Sequence, residues 1–276
     1  MKGLFIVTIA FFLATCNKDT KPAGCGIQVD PGNESRQISV LFIGTSHTHY
    51  NDLPGLVRQI AQSVGDSVYT EMSAPGGFDF ERHYKLSETI SALNSRKWDY
   101  IVLQESGWRS ALYPTVAEKM IYPFADSLQQ VILKNNGSAR LILYMTNGYI
   151  GGVNAFGDTA WCKADPGVCD FNGMQERIKD NYLHLAKQLK AEIAPCGLIW
   201  KILRSKNNNI VLHDQDGIHP APIASYSNAI TIYSIIKKQK IKGAFAPPLV
   251  GKEQASAIQE TVAAVLFDCN PGWQNF

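Results

Sequence analysis

At 276 residues, with a formal net charge of +2 and 18% charged side chains, the chain lacks the basic excess that a nucleic-acid-binding face requires. Its 45% hydrophobic content suits a globular protein, and the roughly 240 residues that follow the N-terminal region fit one α/β domain.

The chain opens with Met1-Lys2-Gly3, then an apolar run over residues 4–14. A basic start and a short apolar stretch read as a secretory signal over residues 1–15, since a membrane span needs about 20 apolar residues. Leu13-Ala14-Thr15-Cys16 is similar to a bacterial lipobox, which makes Cys16 the expected lipidation site. Ordinary secretion, with Cys16 incidental, is the alternative. Residues 16–37 are rich in Gly, Pro and Lys and read as a tether ahead of a domain over 38–276. The expected location is therefore the bacterial cell envelope, periplasmic or at the outer-membrane surface, with membrane contact only through the lipid. An exported chain is free to form disulfides. Cys162 and Cys169 flank the turn-forming Lys-Ala-Asp-Pro-Gly-Val and are the expected pair. No Cys-x-x-Cys or nearby His completes a zinc set around them.

Beyond the tether, apolar runs alternate with helical stretches. Residues 38–43 read as a buried strand and 54–64 as an amphipathic helix. A second strand over 67–72 ends at Ala74-Pro75-Gly76-Gly77, and a helix follows over 80–93, with Glu81, Arg82 and His83 on its solvated face. Residues 100–103 are a third strand, 115–133 a long helix, 140–145 a fourth strand and 174–189 another helix. A fifth strand is expected over 192–198, placing Cys196 in it, and a final long helix over 224–237. Such alternation predicts a parallel sheet with helices on both faces. Ligands bind such sheets outside the carboxyl ends of the strands, where Ser46, Gly77, Gln104 and Asn147 fall.

Ser46 follows the first strand at Gly44-Thr45, and Asp216-Gly217-Ile218-His219 follows the last predicted strand. Serine needs a neighbouring base to take its proton, and histidine titrates near neutrality. A carboxylate three residues before that histidine can fix its tautomer and stabilise the imidazolium. The spacing therefore predicts Ser46, His219 and Asp216 as nucleophile, base and acid. Backbone N–H groups of Ser46 and Gly77, with the Gln104 amide, are candidate donors to an oxyanion.

These blocks resemble the SGNH (GDSL-like) hydrolase superfamily over residues 38–237. Ser46 in Phe42-Ile43-Gly44-Thr45-Ser46 matches the first-block serine, and Asp216 and His219 match the fifth-block Asp-x-x-His. Gly77 matches the second-block glycine, or Gly76 if the register slips by one. The third block, usually Gly-x-Asn-Asp, reads Val102-Leu103-Gln104-Glu105, so Gln104 takes the asparagine's place. Together with Asn51-Asp52-Leu53-Pro54, Trp98-Asp99-Tyr100 and Ala194-Pro195-Cys196-Gly197, this is similar to a bacterial lipoprotein branch carrying Gln there. The resemblance implies a three-layer α/β/α sandwich with a flavodoxin-like parallel sheet of about five strands. It also implies ester hydrolysis through an acyl-serine, with no metal or organic cofactor. Export favours O-deacetylation of carbohydrate, so the expected partner is a small-molecule or polysaccharide ester.

Three other features carry alternatives. His47 and His49 form an alternating pair with no third metal ligand at a recognisable spacing, so no metal is assigned. His213 and Asp214 offer a shifted acid–base pairing. Residues 151–172 form the longest irregular stretch and overhang the rim, where Trp161 either stacks on a sugar or packs inward. Gly76, Asn147 and Trp161 are the candidate substrate contacts. Two rival functions remain, a lipid esterase or thioesterase and a non-catalytic glycan-binding lipoprotein.

Overall fold

A computed structural model describes residues 27, 36–157, 160–206 and 210–268. The expected signal, Cys16 and most of the expected tether lie outside these residues, as do Cys25 and Cys269. In chain order the elements are β1 (Ile38–Ile43), α1 (Ser46–His49), α2 (Leu53–Ser63), β2 (Val68–Ser73), α3 (Phe80–Lys85), α4 (Ser87–Asn94) and β3 (Tyr100–Leu103). Then come α5 (Gly107–Ser110), α6 (Pro114–Met120), α7 (Tyr122–Asn136), β4 (Arg140–Tyr144), α8 (Ala160–Ala164) and α9 (Phe171–Leu189). The chain continues through β5 (Glu192–Ala194), α10 (Cys196–Lys206), α11 (Pro222–Lys237) and α12 (Lys252–Leu266).

Every residue of β1 is buried, as expected of a continuous apolar run lying inside a parallel sheet. The sheet order is β2-β1-β3-β4-β5 with every pairing parallel, the flavodoxin-like order. Helices α2, α10, α11 and α12 pack together as one layer and α3, α4, α7 and α9 as the other. Nearly all of α11 is buried, including its Ser, Thr and Asn side chains, so it carries no amphipathic stripe. Among the described residues no helix is long and apolar enough to cross a membrane.

The sequence expectation for a three-layer α/β/α sandwich holds, with local corrections. The helix expected over 80–93 is two, because Leu86 leaves helical geometry (ψ 118°). The helix expected over 115–133 also breaks, at Ile121, because Pro123 lies in the first turn of α7. Proline supplies no N–H and its ring clashes with the carbonyl four residues back. The fifth strand stops at Ala194 because Pro195 cannot donate to the ladder. Cys196 therefore opens a helix instead of lying in a strand; its thiol is free and buried, and burial pushes its pKa up. Helices α10 and α12 lie beyond the elements predicted from sequence.

Candidate active site

The turn after β1 is built around Gly44. A Cβ there would lie 2.2 Å from Thr48 Oγ1 and 2.6 Å from Gln104 Oε1, so only glycine fits. Thr45, extended at φ −123°, is the N-cap, and Ser46 is the first residue of α1. Its backbone N–H is one of those that a helix start leaves without an intrahelical carbonyl. After α1 the chain makes a tight corner in which Asn51 and Asp52 adopt left-handed geometry, φ 54° and 48°. Asn and Asp tolerate this region better than most residues. Asn51 Nδ2 donates to Pro220 O and to Ser225 Oγ, both at 2.9 Å, tying the serine turn to the segment that carries His219.

That segment is a closed loop. His213 and Pro220 form an antiparallel bridge, Asp214 N donates to His219 O at 2.8 Å, and Gly217 sits at φ +70° in the turn. Within it, Asp216 Oδ1 accepts from Ile218 N and His219 N, while Asp216 Oδ2 lies 2.5 Å from His219 Nδ1. His219 Nε2 is 2.8 Å from Ser46 Oγ. With Nδ1–H donated to the carboxylate, Nε2 is left as the acceptor for the serine hydroxyl. Burial works against the Asp216 carboxylate, but the hydrogen bonds from His219 and Ile218 outweigh it and hold its pKa down at about 2.

The other predicted residues fall as follows. Gly77 lies exposed in the turn after β2 at φ +72°, where space is open and the backbone conformation is what favours glycine. Its carbonyl accepts from Arg82 at 2.9 Å. Gly76 lies against His49, whose Nδ1 donates to Ala74 O at 2.7 Å. Gln104 is fully buried beneath the serine turn. Its Oε1 accepts from Thr45 N and Thr48 Oγ1, both at 2.8 Å, and its Nε2 donates to Glu105 O and Thr45 Oγ1. Both amide hydrogens are thus engaged in bracing the turn. Asn147 is also buried, and its Nδ2 donates to Ile218 O and Gly148 O, pinning the Asp216–His219 loop to the end of β4.

The shifted pair parts company. His213 is buried, with Nε2 donating to Gly148 O at 2.8 Å and Nδ1 facing Arg204, while Asp214 is exposed. Burial lowers the His213 pKa to about 4. His47 and His49 likewise diverge. His47 is buried against Tyr149 and His219, and neither ring nitrogen has a hydrogen-bond partner in good geometry. Burial, reinforced by the His219 ring, drives its pKa down to about 3. His83, expected on a solvated face, is instead buried and donates from Nε2 to Gly44 O at 2.8 Å.

Cys162 and Cys169 are joined as a disulfide. Between the segments that follow β3 and β4 lies an apolar cavity of about 580 Å³ whose walls include Trp108, Tyr113, Val116, Val153 and Trp161. Trp161 is 46% exposed and sits 5.9 Å from Trp108, centroid to centroid. Its wall is braced by Arg177, which bonds Asp165 at 2.7 Å and lies over the Tyr113 ring. Two neighbours of the site are only weakly marked in the sequence. Tyr50 stacks on His219, and Glu105 is wholly buried beside Arg109. The position of Tyr50 within the serine turn and the acid following Gln104 at a strand end were the only available pointers.

The parallel sheet ordered 2-1-3-4-5 between two helical layers is a fold shared with solved structures of other proteins. The crystal structure of a DUF4886 family protein from Bacteroides uniformis superposes with a TM-score of 0.69 at 19% identity, over 84% of this chain and 96% of that one. A protein from Slackia heliotrinireducens, whose assignment as an SGNH hydrolase is provisional, gives 0.56 at 22% identity, over 73% of this chain and 100% of that one. At these identities the likeness establishes the fold. No protein-family model and no curated protein matches the sequence.

Proposed function

We propose that the chain is an exported serine esterase, anchored through Cys16, that hydrolyses esters by way of an acyl-serine. The observation that carries this reading is the hydrogen-bonded line from Ser46 Oγ through His219 to Asp216 Oδ2. In the first step Ser46 Oγ attacks the ester carbonyl while His219 Nε2 takes its proton, and Asp216 stabilises the imidazolium. The carbonyl oxygen becomes an oxyanion, held by the N–H of Ser46 at the start of α1 and by that of Gly77. Collapse expels the alcohol, which leaves with the proton from His219. Water, activated by the same histidine, then releases the acid and regenerates the hydroxyl.

Carbohydrate O-deacetylation is the reading that fits an enzyme carried to the cell envelope. The test is acetate release from p-nitrophenyl acetate and acetylated xylan by the chain from residue 17 onward, beside Ser46→Ala. Release that disappears in the variant supports the serine esterase. Equal rates in the two proteins would sink it and favour a binding lipoprotein. The apolar cavity beside Trp161 favours a second reading, a lipid esterase or thioesterase, because its walls offer few partners for sugar hydroxyls. An acyl-chain-length series separates the two. The second reading predicts rates that rise with chain length and lose that preference in Trp161→Ala, and a flat or falling series excludes it.

A further inference from the structure

Glu105, the residue after Gln104, is completely buried at the end of β3. Its two carboxylate oxygens serve two different helices. Oε2 accepts from Phe80 N at 3.0 Å, the first residue of α3, and Oε1 accepts from Ser106 N at 2.6 Å, the N-cap of α5. One carboxylate therefore joins the starts of the helices that follow β2 and β3. Phe80 lies three residues beyond Gly77.

A second arm runs beside the first. Asp79, also buried, caps α3 by accepting from Arg82 N at 2.9 Å, and its other oxygen pairs with Arg109 at 2.9 Å. Arg109 is buried too, with its Nε 4.0 Å from Glu105 Oε1. Arg82 closes the circuit, lying 3.5 Å from Asp79 and donating to Gly77 O. Two buried carboxylates and one buried guanidinium are costly to take out of water. A hydrophobic filling would pack the space without that cost, but it would not dictate where the turn carrying Gly77 sits.

We propose that Glu105 is a positioning residue that holds the Gly77 turn in register with Ser46, so that the oxyanion donors are set before substrate arrives. The proposal rests on the serine-esterase reading. An ionised carboxylate accepts strongly from both N–H groups, whereas protonation puts a donor hydrogen on one oxygen and weakens both bonds. In Glu105→Gln the amide nitrogen would face one of them donor to donor. Donor displacement of this kind lowers turnover and leaves ground-state binding largely intact.

Protonation of Glu105 should imitate that substitution. Burial raises its pKa to about 7, against the pull of Phe80 N–H, Arg109 and Ser106 N–H. The charged and titratable groups facing it are Asp79 ahead of α3, Arg109 on α5 and Tyr182 on α9, with Glu81 reaching it through Arg109.

The test uses the full chain with p-nitrophenyl acetate as probe, comparing wild type, Glu105→Gln and Ser46→Ala from pH 5 to 9. At pH 8.5 the Gln variant should show kcat lowered by about tenfold or more with KM within about twofold. The wild-type to variant ratio should shrink toward one as pH falls through about 7. If Ser46→Ala is inactive while Glu105→Gln keeps wild-type kcat, or if the ratio is flat with pH, the proposal falls and the esterase reading stands. If turnover does not depend on Ser46, both fall. If Glu105→Gln does not fold, Asp79→Asn decides, because Asn preserves the helix cap and removes the Arg109 ion pair. A lowered kcat at constant KM supports the proposal, and wild-type kinetics overturn it.

Discussion

Tyr50 lies face to face with His219, their ring centroids 4.2 Å apart and their planes within 7°. The expected base is thus held on three sides, by Asp216 at Nδ1, Ser46 at Nε2 and an aromatic ring on its face. Tyr50 follows α1 directly, so the turn that presents the serine also supplies a wall for the histidine.

An aromatic pair of this kind contributes about 0.5–1.5 kcal/mol beyond simple burial. Tyr50→Ala should therefore lower kcat on p-nitrophenyl acetate by up to about tenfold, while Tyr50→Phe, which keeps the ring, stays within about twofold of wild type. Equal losses in the two variants would show that the hydroxyl matters and the stack does not.

Asn51 does two things at once, and two substitutions separate them. Asn51→Gly keeps the left-handed backbone and loses the hydrogen bonds to Pro220 O and Ser225 Oγ. Asn51→Ala loses both and adds a left-handed penalty of roughly 1–2 kcal/mol. The midpoint of urea unfolding should fall in the order wild type, Gly, Ala, and kcat should drop in both variants because the serine turn is no longer tied to the histidine loop. A Gly variant with wild-type kcat would mean that the tie is dispensable for turnover.

Stability should decline on acidification before the carboxylates of the fold are neutralised. His47 and His213 have folded pKa values of about 3 and about 4 against 6.5 when unfolded, and burial lowers that of His83 as well. As pH falls below 6.5 the unfolded chain gains protons that the folded chain refuses, so stability is lost, and well above 6.5 none of the three contributes. Glu105 works in the opposite sense between pH 7 and 4.5, since its folded pKa is raised. Three histidines against one carboxyl leave a net uptake of between about one and two protons on unfolding near pH 5.5, a slope of order 1–2 kcal/mol per pH unit. His47→Phe should make that slope shallower, by up to about 1 kcal/mol per pH unit, in urea melts between pH 6 and 5. A variant with the wild-type slope would contradict the assignment.

Much of this architecture was legible because its causes are local. The apolar runs bounding β1 and β3 mark their own ends, and the Asp-x-x-His spacing carries its geometry within one turn. Gln104 shows the other case. Its type and place at a strand end suggest an amide facing the oxyanion, but its oxygen accepts from Thr45 N and Thr48 Oγ1, its Nε2 donates to Thr45 Oγ1 and Glu105 O, and that network depends on α1 folding back over β3. His83 reads as a solvated residue on a charged helix until the break at Leu86 is known. Its partner is the Gly44 carbonyl, 39 residues away. Tyr50 and Glu105 gain their roles from partners brought by distant segments, so no window along the chain displays them. The amphipathic spacing of Ile258, Val262 and Leu266 was available to reveal α12.

Ser46 and His219 are separated by 173 positions, with β2, β3, β4 and β5 between them. A ribosome releases the serine long before the histidine. Until α11 seats against α2 and brings its preceding loop over the rim, the nascent chain carries an ordinary, unreactive hydroxyl. The same order means that a single proteolytic cut near residue 210 would break the covalent link between the proposed nucleophile and the proposed base and leave every strand of the sheet uncut.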